Sequence, residues 1–411
     1  MRLASTAIVS SPETLNSTRL TGRIYWGAGE VFDLWVDVPE AYSANVSSSG
    51  NPWLLAMLPW AASLGEDIEL SLPVDALLLE NVQGILAQWR AWYPGLQGVQ
   101  ITCPVQGYEG VAGTRTAAFF SGGVDSYFTI ARRLPGNPYG IAAVGRVDDL
   151  LTVWGFDVGV YDEQEFFPLA DMLQKSAQAL GLNHLIIRTN LRQISVYKSN
   201  WGPLTFGCGL AFIGHILGKR FSEVALGSSY PYGSLTAWGS HPLVDPLFSS
   251  SALRIVHDGA AYTRIGKTAV AAQLPMARAS LHVCQAEGLR NCSHCEKCYR
   301  TMVAIDILGC KDGFEAVFDW SGYTIKKAQK IYMGEGIEQI FYHEMIEDAQ
   351  RCQRVDVAQA LGIAAKRSSR LARWVSLATW MSRQPGIWRL GVAARQWLLK
   401  SSISAQYISG I

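Results

Sequence analysis

The chain has 411 residues and is 49% hydrophobic, 11% aromatic and 17% charged, a composition that can bury sizeable cores and is unlike that of a disordered chain. Its 35 Lys and Arg against 34 Asp and Glu leave a net charge of +1, which excludes nucleic-acid coating by bulk charge. The lack of an apolar run of about 18 residues excludes a membrane-spanning helix, and residues 1–20 carry no continuous apolar stretch of the secretory-signal type.

Charge is unevenly distributed. Residues 1–112 hold four Arg, no Lys and eleven acids, residues 113–356 hold 23 of each sign, and residues 357–411 hold eight basic residues and no acid. These zones predict three units: an accessory α+β domain over 1–112, an α/β domain over 113–310 and a helical basic region over 311–411. In the first, strands are expected at 22–25, 31–38, 68–72 and 99–103. Asp75 is placed to cap an amphipathic helix over 76–92. In the second, short apolar runs at 116–120, 151–156, 184–188, 223–226 and 254–257 alternate with helical patterns at 124–134, 163–180 and 204–218. This alternation predicts buried parallel strands joined by crossover helices, a doubly wound parallel sheet whose ligands sit at the strands' carboxyl ends.

The segment Ser121-Gly122-Gly123-Val124-Asp125-Ser126 follows the first apolar run and opens a helix. Two glycines let the backbone approach an oxyanion, and the Ser hydroxyls and N–H groups of the helix start donate to it. Asp125 is out of place beside an anion unless Mg²⁺ bridges it to phosphates. The plain alternative is an ordinary Gly-rich turn. This element resembles the PP-loop of the ATP pyrophosphatases and lacks the Gly-Lys-Ser/Thr ending of a Walker A loop. The resemblance implies a fold of the adenine nucleotide alpha hydrolase type, ATP held by residues 121–126 and cleaved between its α and β phosphates, and release of pyrophosphate. A cation must then face the leaving group. Lys267, with Arg264 behind it, is the candidate, at a place where PP-loop proteins carry a comparable Lys; the alternative is a lysine facing water. Asp157, at the end of the second run, would hold metal or ribose, or is a solvated loop acid.

Cys284-x7-Cys292-x2-Cys295-x2-Cys298 puts four of the eight cysteines within 15 residues, which points to a metal in a reducing cytoplasm rather than to disulfides. Four thiolates at this spacing favour a closed, structural Zn²⁺ site, with an iron–sulfur cluster as the competing reading. Lys297, Arg300 and Arg290 would offset the negative charge, and His282 and His294 are expected to be bystanders. Cys208 is either a nucleophile near the crevice or, as free cysteines commonly are, a small core residue.

Loop and knuckle together are similar to the 7-cyano-7-deazaguanine synthase family over about residues 114–310. That resemblance implies zinc on the four cysteines and adenylylation of a substrate carboxylate, followed by ammonia to give an amide and then a nitrile. The family carries Pro-Gly-Arg-Asn at the start of the helix after its third strand; Gly202-Pro203-Leu204-Thr205-Phe206-Gly207-Cys208-Gly209 has neither the Arg nor the Asn. The segment 227–242 is longer and more aromatic than in the family. A relative with a different small-molecule carboxylate, deazapurine-like or otherwise, is therefore expected. Tyr230, Tyr232 and Trp238 are candidates to stack on a planar ring, with Ser228, Ser240, His241 and Asp245 orienting it and His241 as a candidate base. The alternative is aromatic packing inside the loop.

The leading expectation is thus an AMP-forming ligase using ATP, Mg²⁺ and free ammonia, since the Met1-Arg2 start offers no terminal Cys for a glutaminase. The alternatives are a tRNA-modifying, thiolase-type adenylase working through Cys208 and a non-catalytic nucleotide-sensing protein. In the tail, Lys366, Arg367, Arg370, Arg373, Arg383, Arg389, Arg395 and Lys400 interleave with Trp374, Trp380, Trp388 and Trp397. This pattern suits a membrane surface, an acidic protein, tRNA, or docking against the acidic first zone. A homo-oligomer is compatible with all of these.

Overall fold

The computed structural model describes residues 1–14, 16–107, 113–284, 290–334, 337–382, 384, 386–400 and 402–403. The expected boundary at residue 112 and the tail residue Arg383 lie outside the described residues. The chain forms two compact units. The first comprises Met1–Ser121, Asp125–Ser229 and Ala237–Ala260; the second comprises Gly122–Val124, Tyr230–Thr236 and the chain from Ala261 onward.

The first unit opens with a meander, β1 (Arg2–Ser10), β2 (Ser17–Trp26) and β3 (Glu30–Pro39), followed by helix α1 (Asn51–Leu64) and strands β4 (Ile68–Leu70) and β5 (Val74–Asp75). Helix α2 (Ala76–Trp92) starts where expected, because the Asp75 carboxylate accepts from the backbone N–H of Leu78 and so satisfies one of the donors that a helix start leaves orphaned. The short strands β6 (Ile101–Thr102) and β7 (Val105–Gln106) come next.

From there strands and helices alternate: β8 (Arg115–Phe119), α3 (Val124–Ala131), β9 (Asp149–Trp154), α4 (Glu163–Ala179), β10 (Asn183–Thr189), α5 (Ser195–Ser199), α6 (Phe206–Ile216), β11 (Phe221–Gly227) and β12 (Arg254–Asp258). Every run expected as a parallel strand is one. Asp162 caps α4 through the N–H of Glu165.

Ten strands make one sheet in the order β12-β11-β8-β9-β10-β3-β2-β1-β4-β6, and β5 pairs with β7 apart from it. The strands β8 to β12 are mutually parallel. Across the sheet they run third, second, first, fourth, fifth, an order compatible with a doubly wound α/β fold. The first composition zone belongs to the same sheet: β3 pairs antiparallel with β10, Asp37 opposite Arg188 and Val36 opposite Thr189. Thr189 Oγ1 donates to the Trp35 carbonyl, and Asn190 accepts from Trp35 N–H and donates to Asp33 O. One hydrophobic core runs through both zones, from Ile24, Leu34 and Trp53 to Leu151, Phe212 and Ile255.

Of the elements that were not expected, two are large. Strand β1 is exposed at every position except Leu3, so it carries little hydrophobic alternation. Helix α1 has twelve buried residues and lacks the polar stripe that marks a surface helix.

The second unit is helical: α7 (Arg264–Ala271), α8 (Pro275–Ser280), α9 (Glu296–Ile307), α10 (Ile325–Ala328), α11 (Ile337–Arg351), α12 (Val355–Met381) and α13 (Trp388–Leu399). Its core gathers Ile265, Tyr299, Val303, Ile331, Met345 and Leu361. Among the described residues no helix is long and apolar enough to cross a membrane.

Candidate functional site

The Gly-rich loop leaves the carboxyl end of β8, and the strand order reverses between β8 and β11. Such a reversal is where open α/β sheets bind ligands. Gly122 has φ +76°, a left-handed conformation that glycine adopts freely and other residues only at a cost. Ser121 is exposed, Gly122 and Ser126 are buried, and Asp125 lies half-buried in the first turn of α3. At the end of β11, a Cβ on Gly227 would sit 3.2 Å from both the Asp125 carbonyl and Thr129 Oγ1. Glycine at 227 therefore lets the first turn of α3 lie directly on the strand end.

A cleft of about 950 Å³ opens at the carboxyl ends of β9 and β10. Asp157 stands exposed at its rim, and Tyr161, Asp162, Asn190, Arg192 and Lys198 share its wall. Burial lowers the Arg192 pKa, against the opposing pull of Asp157. The amino ends of the strands carry a different polar cluster. Fully buried Asp149 accepts from Arg115 at 2.6 Å, Arg220 at 2.8 Å and Asn183 at 2.5 Å. Burial pushes its carboxyl up, and these donors outweigh burial to hold it below the usual aspartate range. This cluster lies at the end of the sheet away from the ligand edge and reads as structural.

Of the residues proposed to face substrate, Ser240, His241 and Asp245 are brought together in the first unit. Asp245 accepts from Ser240 Oγ at 2.6 Å and from the His241 N–H at 3.0 Å. His241 Nδ1 accepts from Leu243 N–H, and its ring meets the Trp92 ring edge-on at 4.7 Å. Burial, and then His257, lower its pKa, with Asp245 opposing. Ser228 is buried and donates its N–H to Asp258 O. Trp238 packs so closely on Gly202 that a Cβ there would overlap its ring. Cys208 is fully buried in the core, where burial, reinforced by Asp245, raises its thiol well above the usual range. This burial agrees with the core-residue reading of Cys208.

Tyr230, Tyr232, Arg264 and Lys267 belong to the second unit. Tyr232 is exposed, whereas Tyr230 is buried and stacked on Phe341 at 4.9 Å. The Arg264 and Arg300 guanidinium groups lie 5.2 and 4.4 Å from that same ring. Lys267 is 1% exposed, on helix α7, whose start Thr263 caps through Gly266 N–H. An ammonium is buried at this depth only where negative charge compensates it, which sets Lys267 apart from the water-facing alternative.

The four cysteines converge. Their sulfurs lie within 4.8 Å of one another, with 3.9 Å between Cys284 and Cys295 and 3.8 Å between Cys292 and Cys298. Four sulfurs at the 2.3 Å zinc–sulfur bond length form a tetrahedron with edges of about 3.8 Å, so the set can hold a metal ion such as zinc. The N–H of Cys295 points at Cys292 Sγ and the N–H of Cys298 at Cys295 Sγ, which favours thiolates. Cys284 pushes the Cys295 pKa up to about 12, and Cys284 and Cys295 raise Cys298 far above the ordinary thiol range. His294 is exposed, with Nδ1 2.6 Å from the Cys292 carbonyl. His282 donates its backbone N–H to Gly122 O. Neither imidazole is part of the sulfur cluster.

Three features escaped the sequence reading. Asn291 clamps the knuckle, accepting from the N–H groups of Val283 and Cys284 and donating to the carbonyls of Leu281 and Val317. His257 Nδ1 lies 2.7 Å from Asp245, while its Nε2 is buried with no hydrogen-bond partner among the described residues. The signal for it was available: His257 shares the core-facing side of β12 with Ile255, where strand alternation calls for an apolar residue. Glu344 has both carboxylate oxygens buried. Burial raises its pKa, Asp348 adds to this, and Ser234 and the Arg264 backbone oppose it.

No protein-family model, curated protein or solved structure matches this chain. Function is read from the residues and their geometry alone.

Proposed function

We propose that the chain is an ATP-dependent ligase of the PP-loop type, related to the 7-cyano-7-deazaguanine synthases, that adenylylates a small-molecule carboxylate and releases pyrophosphate. The observation that carries this reading is the Ser-Gly-Gly-x-Asp-Ser loop leaving the first of five parallel strands where the strand order reverses. The four-cysteine cluster in the same chain supports it.

On this reading the backbone N–H groups of Gly122, Gly123 and Val124 and the hydroxyls of Ser121 and Ser126 bind the polyphosphate. Asp125 would hold Mg²⁺, which when bound would neutralise charge on the departing pyrophosphate. Lys267 adds a fixed, desolvated positive charge for that same leaving group, and Arg264 stands behind it. A carboxylate oxygen of the substrate attacks the α phosphorus, and the bond to the bridging oxygen breaks. Ammonia then attacks the acyl carbon, AMP leaves and a proton is lost, giving an amide. In a second adenylylation the amide oxygen attacks the α phosphorus of another ATP and pyrophosphate leaves; loss of AMP with that oxygen and of both N–H protons then gives a nitrile. The cleft beside Asp157 has room for a ring-sized ligand. The zinc site would be structural, fixing the segment around residues 284–298.

The test is incubation with ATP, Mg²⁺, ammonia and a panel of carboxylates that includes deazapurine acids. The reading expects pyrophosphate and AMP in equal amounts, lost in Asp125→Ala and Lys267→Ala. Release of ADP and phosphate would refute it. ATP binding with no turnover on any acid would assign the chain to nucleotide sensing instead.

A further inference from the structure

We propose that the hairpin of α12 and α13 docks on an anionic lipid surface. This goes beyond the nucleotide chemistry and does not depend on it.

Helix α12 has two halves with different surroundings. Its first half packs Val357, Ala360, Leu361 and Ala364 into the core of the second unit. Beyond buried Ser368, the hairpin's own core is small: Val375, Leu399 and Tyr332, with Leu371 and Leu398 against them. The apolar residues in this stretch exceed what so small a core covers. Trp374, Trp380 and Trp397 are 56–75% exposed, and Leu377 and Leu390 are open as well. On α12 the residues 374, 377 and 380 recur at helical spacing and share one face. The two helices meet closely at Gly391, where a Cβ would overlap the backbone of Ala378, Met381 and Ser382. The exposed face is therefore presented by a packed pair and not by a lone helix.

From residue 357 onward the chain's own charges have one sign. Residues 357–411 contain eight basic residues and no acid. Arg370 and Arg373 are exposed just before Trp374, and the Arg389 guanidinium lies 5.4 Å from the Trp388 ring. Tryptophan beside Arg and Lys on a helix is the make-up of an interfacial helix, with rings at headgroup depth and cations on lipid phosphates. Since no described helix can span a bilayer, the hairpin would lie in the plane of the surface. Self-pairing of this face with the same face of a second copy fits poorly, because it would set like charges against each other. Single-stranded RNA makes use of stacked rings and cations but not of open Leu377 and Leu390.

Flotation of the full-length protein with phosphatidylcholine vesicles, with and without phosphatidylglycerol, tests the proposal. Binding is expected only with the anionic lipid, weakened by salt and accompanied by a blue shift of tryptophan emission. The charge reversal Arg370→Glu with Arg373→Glu should weaken it roughly tenfold or more. The triple change Trp374→Ala, Trp380→Ala and Trp397→Ala should do the same. All these positions are exposed, so circular dichroism and metal content should stay at wild-type values. The proposal is overturned if the protein ignores anionic vesicles, or if both variants float as wild type does. It is also overturned if a single-stranded RNA oligomer or an acidic polypeptide binds this face while vesicles do not.

Discussion

Removing one thiolate tests the metal centre most directly. Cys298 is fully buried in the first turn of α9. Asn291 ties the Cys284 segment to the knuckle through three hydrogen bonds, to Val283, Cys284 and Leu281, and reaches Val317 with a fourth. In Cys298→Ser the ion is lost, and this clamp opens to water. At about 1 kcal/mol net for each bond, the clamp accounts for roughly 4 kcal/mol. That is well short of the roughly 10–16 kcal/mol that zinc contributes to small fingers with no other core, because the second unit keeps its helical core of Ile265, Val303 and Met345. Zinc measured by plasma spectrometry should fall from near one equivalent per chain to near none. The second unit's melting transition should move down, and helix content should largely persist. Metal-free wild-type protein, or a Cys298→Ser variant with full zinc and an unchanged melt, would refute the reasoning. Iron with acid-labile sulfide would replace zinc by a cluster.

Lys267→Ala should reduce pyrophosphate release about 100-fold or more, the scale of losing a charge-stabilising group, as a coupled pyrophosphate assay would show. Gly122→Ala forces a side chain into a left-handed turn (φ +76°), costing about 1–2 kcal/mol; calorimetric titration should show ATP binding weakened about tenfold or more. Asp149→Asn leaves Arg115 and Arg220 beside a neutral group, and urea melts at pH 7 should show a loss of about 3–5 kcal/mol. Because the folded pKa of Asp149 is depressed, its contribution is present above the unfolded aspartate pKa and is lost as pH falls through the folded one. The gap between wild type and Asp149→Asn should therefore close below about pH 4.

Legibility followed the range of the interactions. Asp75 announces its helix because a cap is a contact over three residues, and Asp162 caps α4 over the same span. The buried parallel strands announce themselves as apolar runs. The cysteine tetrahedron was legible because its ligands lie within one short segment. Pairings across long stretches of chain were not: the β3–β10 ladder joins residues about 150 apart, and no local pattern reports it. The burial of Lys267, the Asp245–His257 pair and the clamp by Asn291 likewise depend on neighbours brought in by the fold. The aromatic loop shows the opposite failure. Tyr230 and Trp238 look alike as stacking candidates in one dimension, yet Tyr230 stacks on Phe341 and Trp238 covers Gly202.

The pairing of β3 with β10 has a practical consequence for anyone shortening this protein. A fragment beginning at residue 113 would keep every strand of the parallel set but strip the flank of β10, baring the main chain at Arg188 and Thr189 and the apolar side that Leu34 and Trp53 cover. Bare flanks of this kind recruit other chains. Such a fragment should come out of cells as insoluble material even though it contains the whole Gly-rich loop and all four clustered cysteines.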